Sequence, residues 1–217
     1  MPLETDVSTD LEADDEDIQE QDEPLPVRPV FVLSRPVVLV GLMGAGKSSI
    51  GKRLAKTLHV DFIDSDDEIA AAAARSIPDI FEIYGEPLFR DLEKRVILRL
   101  LTESPPAVIA TGGGAFINDD IRAAIKEKAI SIWLDADIDV LHKRLVKKHN
   151  RPLLEKAHDK RAVLAELLEK RAPYYQQADM TIASDRGSRS TIVKDIIAAL
   201  APHFTLPETG KPETNHD

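Results

Sequence analysis

Apolar and polar positions alternate in blocks along the middle of this chain. Val37-Val38-Leu39-Val40 has no polar position, the mark of a strand covered on both faces. An amphipathic stretch from Lys47 to Leu58 follows and predicts a helix. Val60 to Ile63 predicts a second strand, and the Ala-rich stretch Asp66 to Ala74 a second helix. A long helix is expected from Pro87 to Leu101, with Leu88, Leu92 and Val96 at i, i+4 and i+8 as its core stripe. Ala107 to Thr111 and Ile130 to Leu134 predict two more strands, separated by a helix around Asp119 to Lys128. Asp137 to Val146, Arg161 to Arg171 and Ser190 to Ala201 read as helices, and Met180 to Ala183 as a fifth strand. The polar segment Lys147 to Asp159, with Pro152 inside it, reads as a flap. Strand–helix alternation of this kind predicts a parallel sheet covered on both faces.

Composition changes the picture only at the ends. The chain has 217 residues and a formal charge of −10, with 43% hydrophobic and 30% charged residues and no cysteine. Disulfides, thiolate metal sites and cysteine nucleophiles are therefore excluded. Eleven acids and no Lys or Arg lie between Met1 and Pro24, leaving 27 acids against 28 bases in the rest. The acidity thus belongs to a tail, and the body is close to neutral. Residues 1–30 and 206–217 are poor in apolar side chains and read as disordered, with one folded domain over 31–205. There is no basic stripe with interleaved aromatics, so nucleic-acid binding is not expected. No uncharged stretch is long enough to span a bilayer, and no N-terminal stretch has the order of a secretory signal. A cytoplasmic monomer is expected.

Candidate chemistry begins after the first strand. Gly41-Leu42-Met43-Gly44-Ala45-Gly46-Lys47-Ser48 fits G-x-x-x-x-G-K-S/T, with a strand before it and a helix after it. Glycines let successive backbone N–H groups converge on phosphate oxygens, and the helix N-terminus adds its positive end. Lys47 would reach the β- and γ-phosphates, and the Ser48 hydroxyl would ligate Mg²⁺. The chain has no Asn-Lys-x-Asp guanine signature, and its size suits a small phosphotransferase.

Three further groups sit at strand ends or helix ends. Asp64-Ser65-Asp66 follows the second strand, where the crevice of an open α/β sheet lies. One carboxylate there can hold Mg²⁺ through water and the other can orient an attacking hydroxyl. Asp66 equally suits a helix N-cap, and Asp64 a solvated strand end. Thr111-Gly112-Gly113-Gly114 follows the third strand and permits close backbone approach to a ligand. Arg90 could bind an anion or pair with Glu93 at i+3. Arg171 lies at an expected helix end before Pro173, and Arg151 in the flap.

Taken together, six segments resemble the shikimate kinase family. They are residues 41–49, Phe-Ile-Asp-Ser-Asp (62–66), Ile-Phe-Glu-Ile-Tyr-Gly-Glu-Pro-Leu-Phe-Arg (80–90), the triple glycine (112–114), Arg-Pro-Leu-Leu (151–154) and Arg-Ala-Pro-Tyr-Tyr (171–175). The resemblance implies a P-loop fold of the nucleoside monophosphate kinase type: three layers, a five-stranded parallel sheet, a lid and a substrate-binding subdomain. It implies ATP-dependent phosphorylation of the shikimate 3-hydroxyl, with Mg²⁺ as cofactor. Asp66 would hold and orient the hydroxyls, and Asp64 would act on Mg²⁺ through water, beside Ser48. Arg90 and Arg171 would clamp the carboxylate, with Gly113 and Gly114 touching the substrate by backbone. Phe81 and Phe89 would pack the pocket wall. Gly44, Ala45, Gly46, Lys47, Ser48 and Ser49 would hold the nucleotide, Arg144 would lie near the adenine, and Arg151 would steady the transferring phosphoryl group. A kinase for gluconate or a nucleoside monophosphate is the rival reading of the same parts.

Overall fold

The computed structural model describes residues 32–146 and 159–205. A two-residue strand β1 (Val32–Leu33) opens it, followed by β2 (Val37–Val40), β3 (Phe62–Asp64), β4 (Val108–Ala110), β5 (Ile130–Asp135) and β6 (Met180–Ala183). The last five form one parallel sheet in the order β3-β4-β2-β5-β6. β2 is central. Val38 stands opposite Ile109 on one side and Ser131 on the other, and all four β2 residues are 0% exposed. Each such side chain contributes on the order of 1.5–3 kcal/mol by leaving water. The strand that carries the glycine-rich loop is therefore the best-buried member of the sheet. β1 pairs antiparallel with β7 (Phe204–Thr205), a small second sheet that the hydrophobic pattern does not announce because each strand has two residues.

The helices are α1 (Lys47–Leu58), α2 (Ser65–Ala73), α3 (Ile77–Glu103), α4 (Asp119–Lys128), α5 (Ile138–Val146), α6 (Lys160–Tyr175) and α7 (Arg189–Leu200). Crossovers between parallel strands are right-handed. The step from β2 out to β3 therefore puts α1 on one face, and the return steps through β4 to β5 put α3 and α4 on the other. The packing agrees: α1 rests against α7 and β4, while α3 rests against α4. The three-layer α/β architecture with five parallel strands is as expected.

Several local expectations need correction. The second strand runs 62–64 rather than 60–63, because His59 caps α1 in the left-handed region (φ 56°) and the chain needs two more residues to enter the sheet. The third helix starts at Ile77, ten residues early. Ser76 caps it, its hydroxyl accepting from the Asp79 N–H at 3.3 Å, and Pro78 follows in the first turn. The helix is broken at Gly85, whose φ of 77° and ψ of 173° are not helical. Of the expected stripe, Val96 is buried and Leu92 packs against the core. Leu88 is 45% exposed, whereas Phe89, Glu93, Val96, Ile97 and Leu100 face the core. Finally, α6 continues through Pro173 to Tyr175, so Arg171 lies inside a helix rather than at its end. The flap falls largely on residues 147–158, outside the described residues, as do both tails.

Candidate active site

The glycine-rich loop connects β2 to α1. Gly46, with φ at 94°, turns the chain into the first helical residue, Lys47; a side chain there would be strained. Lys47 curls back over the loop, its Nζ donating to the carbonyls of Gly41 at 2.8 Å and Leu42 at 3.1 Å. Ser49 Oγ donates to Gly46 O at 3.0 Å. Arg144, from α5, donates to the carbonyls of Gly44 (3.3 Å) and Ser184 (2.8 Å). It therefore bridges the phosphate loop and the loop after β6. Burial holds its pKa below the ordinary value, and the neighbouring Arg189 adds to this. Gly44, Ala45, Gly46, Lys47, Ser48, Ser49 and Arg144 thus share one end of the sheet.

The end of β3 resolves the ambiguity between the two aspartates. Asp64, not Asp66, caps α2: its Oδ1 accepts from the Asp66 N–H at 3.1 Å. Its other oxygen, Oδ2, accepts from Ser48 Oγ at 2.7 Å. Ser48 and Asp64 thus place two hard oxygen donors side by side next to the phosphate loop. Asp66 keeps its carboxylate for the crevice, where Oδ1 lies 3.0 Å from the place a Cβ on Gly112 would take. Ser65, 0% exposed, accepts from the Gly112 N–H through its hydroxyl at 3.3 Å and ties the two segments together.

The triple glycine is the hub. A Cβ on Gly112 would meet Glu93 Oε1 at 2.9 Å, and one on Gly114 would meet Arg90 Nη1 at 2.7 Å. A Cβ on Gly113 would make only ordinary contacts, with Met43 N (3.4 Å), Arg171 Nη1 (3.5 Å) and Gly41 O (3.5 Å). At Gly112 and Gly114 side chains occupy the space that a Cβ would fill.

The two arginines are held differently. Arg90 donates to Glu93 Oε2 at 2.8 Å and to Glu86 Oε1 at 3.0 Å. Burial acts against its charge, yet Glu93 and then Glu86 hold the guanidinium above its ordinary pKa. Glu93 is 1% exposed, and burial pushes its carboxyl upward against the pull of Arg90. Arg171 instead donates to the Gly113 carbonyl at 3.1 Å. Among the described residues it has no carboxylate at ion-pair distance, so its charge is compensated only from afar.

Asp66, Arg90 and Arg171 therefore converge on the triple glycine, with Asp64 beside Ser48 of the phosphate loop. Phe89 is buried and stacks on Phe81, ring centroids 4.4 Å apart, with Phe81 36% exposed. Arg151 lies outside the described residues. Sequence reasoning missed three members. Ser65 sat between two named aspartates and Tyr175 inside a named segment. Glu93 was noted only as a surface partner for Arg90, and its burial is what that reading lacked.

The shikimate kinase family model matches residues 43–201, well over half the chain. The chain belongs to the shikimate kinase family. It is 52% identical over 166 residues to the shikimate kinase of Rhodopseudomonas palustris, covering 76% of this chain and 81% of that one. It is 51% identical over 167 residues to the shikimate kinase of Caulobacter vibrioides, covering 77% and 82% respectively. Among solved structures, a shikimate kinase from Acinetobacter baumannii in complex with shikimate superposes with a TM-score of 0.73 at 34% identity, covering 77% of this chain and 93% of that one. A gluconokinase from Sinorhizobium meliloti shares the fold alone, with a TM-score of 0.51 at 18% identity, over 78% of this chain and 93% of that one. Membership in the shikimate kinase family separates this crevice from the wider set of small-molecule kinases that use the same sheet.

Proposed function

We propose that the chain transfers the γ-phosphoryl group of ATP to the 3-hydroxyl of shikimate, giving shikimate 3-phosphate and ADP. The observation that carries this reading is the contact between the two halves of the crevice. The Gly113 carbonyl accepts from Arg171 at 3.1 Å, and a Cβ on Gly113 would stand 3.4 Å from Met43 N of the phosphate loop, so an acid held by the arginines lies beside a nucleotide's terminal phosphate.

Phosphoryl transfer needs positioning and charge neutralisation more than covalent help from the protein. The substrate oxygen forms a bond to the γ-phosphorus while the bond to the β–γ bridging oxygen breaks. Asp66 accepts a hydrogen bond from the attacking hydroxyl, orients it and takes up charge as its proton leaves. Arg90 and Arg171 grip the carboxylate with planar forks suited to two oxygens. The N–H groups of Gly44, Ala45 and Gly46, with Lys47, Ser48 and Ser49, hold the phosphates; Lys47 exchanges its two carbonyl partners for phosphate oxygens. Arg144 faces the base, and Arg151 closes on the transferring group. Mg²⁺ fits the donors present: it favours one or two oxygen ligands from protein with waters and phosphate oxygens making up the rest. Ser48 Oγ and Asp64 Oδ2, 2.7 Å apart, would hold it, Asp64 through water. The ion supplies charge neutralisation on the β- and γ-phosphates.

Residues 31–205 act as the catalytic unit in this reading, which works as a cytoplasmic monomer without nucleic acid. Among the described residues no helix is long and apolar enough to cross a membrane. A coupled ADP-release assay with shikimate, gluconate and AMP tests the assignment. Turnover with shikimate at least about tenfold above the other two is expected, on the order of what one misplaced charge-assisted hydrogen bond removes. No turnover with shikimate overturns the proposal.

A further inference from the structure

Tyr175 closes α6 with the bulkiest fully buried side chain among the described residues, at 0% exposure. A buried phenol needs a partner for its hydroxyl. That partner is the carbonyl of Gly113, which accepts both from the Tyr175 hydroxyl and from Arg171 Nη1 at 3.1 Å. Arg171 and Tyr175 are four residues apart on one helix and so share a face. Both lone pairs of a single carbonyl are thereby used.

The consequence lies in the planarity of the peptide unit. The Gly113 carbonyl and the Gly114 N–H belong to one trans peptide and point in opposite directions. Pinning the oxygen from the α6 side therefore fixes the direction of the Gly114 N–H on the other side. The carbonyls of Gly112 and Gly114 on either side accept from the Ala115 and Ile117 N–H groups, both at 3.2 Å, while the peptide between Gly113 and Gly114, with no Cβ at either residue, is held through its oxygen by the α6 donors. The hydroxyl also limits where Arg171 can sit, since both donors must fit one oxygen. The Trp133 ring packs beside the phenol, ring centroids 5.9 Å apart.

Resting on the kinase reading, we propose that Tyr175 is a positioning residue for the acid end of the substrate. Its hydroxyl, together with Arg171, holds the Gly113 carbonyl. This hold aims the Gly114 N–H and the Arg171 guanidinium at the substrate carboxylate. Tyr175 acts on binding of the acid and not on the nucleotide. Burial pushes its hydroxyl above the ordinary phenol value, with Arg171 pulling the other way. It therefore remains a hydrogen-bond donor at neutral pH.

Tyr175→Phe keeps the ring and removes one oxygen. The KM for shikimate is expected to rise about three- to tenfold, the range for one neutral hydrogen bond, with kcat and the KM for ATP within about twofold of the unaltered chain. A purely structural role moves both KM values and the melting temperature together. An unmoved KM for shikimate, or an equal rise in both, overturns the proposal. No shikimate turnover by the unaltered chain overturns the kinase reading and this inference with it, a different outcome from a normal parent and an indifferent variant. A second measurement reads the residue directly, with Tyr175→Phe identifying its resonance among those of the three tyrosines. In protein grown with 3-fluorotyrosine, the ¹⁹F resonance of buried Tyr175 is expected to shift on adding shikimate and to stay in place on adding ADP. A resonance that ignores shikimate overturns the proposal.

Discussion

The crevice has two walls built by opposite strategies. The phosphate wall is local: residues 41–49 are contiguous, their groups are mostly backbone N–H, and a buried strand and a helix N-terminus hold them. The acid wall is assembled: Asp66, Arg90 with Glu93, the triple glycine, and Arg171 with Tyr175 come from four separate segments. Phosphate needs many equivalent donors, which one turn of backbone supplies. A small hydroxy acid needs a carboxylate and a particular hydroxyl recognised at once, which only side chains from several directions can do. The assembled wall is thus the one that sets specificity, and the one where a small change should have a selective effect.

The sharpest way to break the contrast is Asp66→Asn. Turnover is expected to fall by about 10²–10⁴ while ATP binding, measured by titration calorimetry, changes less than about twofold. Near-normal turnover would place the orienting role elsewhere. Next comes Arg90→Ala, which leaves buried Glu93 without its counter-charge. Losing a charged partner of this kind costs about 2–5 kcal/mol, so the shikimate Kd is expected to rise at least about thirtyfold with little change for ATP. An unchanged Kd contradicts the clamp.

The smallest effect concerns pH. Burial holds the Glu93 carboxyl above the usual carboxylate range, so the folded chain binds this proton more readily than the unfolded chain. Ionised Glu93 lowers stability above its folded pKa, and protonation restores that stability as pH falls toward the ordinary carboxylate value. Protonation also loosens Arg90. The acid limb of kcat/KM for shikimate should therefore begin at a higher pH than an ordinary carboxylate would give. Glu93→Gln should flatten that limb and lower the plateau about tenfold, the effect of one charge-assisted hydrogen bond. A limb of unchanged shape in the variant assigns the titration to another group.

The phosphate wall was legible because its information is short-range. A strand pattern, three glycines and Lys-Ser at set spacing specify backbone geometry within nine residues. The acid wall was legible as a set of candidates: Asp66, Arg90, Gly113, Gly114 and Arg171 were all named, and the fold brings their segments together around the triple glycine. Their individual roles were not, because an aspartate before a helix reads equally as a cap. The structure gives that cap to Asp64. The long helix begins ten residues before its expected start, across the break at Gly85, and of its expected stripe only Leu88 is exposed.

The order of residues alone determined the fold class, the anion-binding loop and the family, since each depends on periodicity or on contiguous spacing. Only the tertiary structure decided that Glu93 is buried behind Arg90, that Ser65 ties the aspartates to Gly112, and that Tyr175 and Arg171 share the Gly113 carbonyl. Burial and shared acceptors are properties of segments far apart in the chain. No local pattern encodes them, because whether a polar side chain meets water or a partner depends on what the rest of the sheet brings beside it.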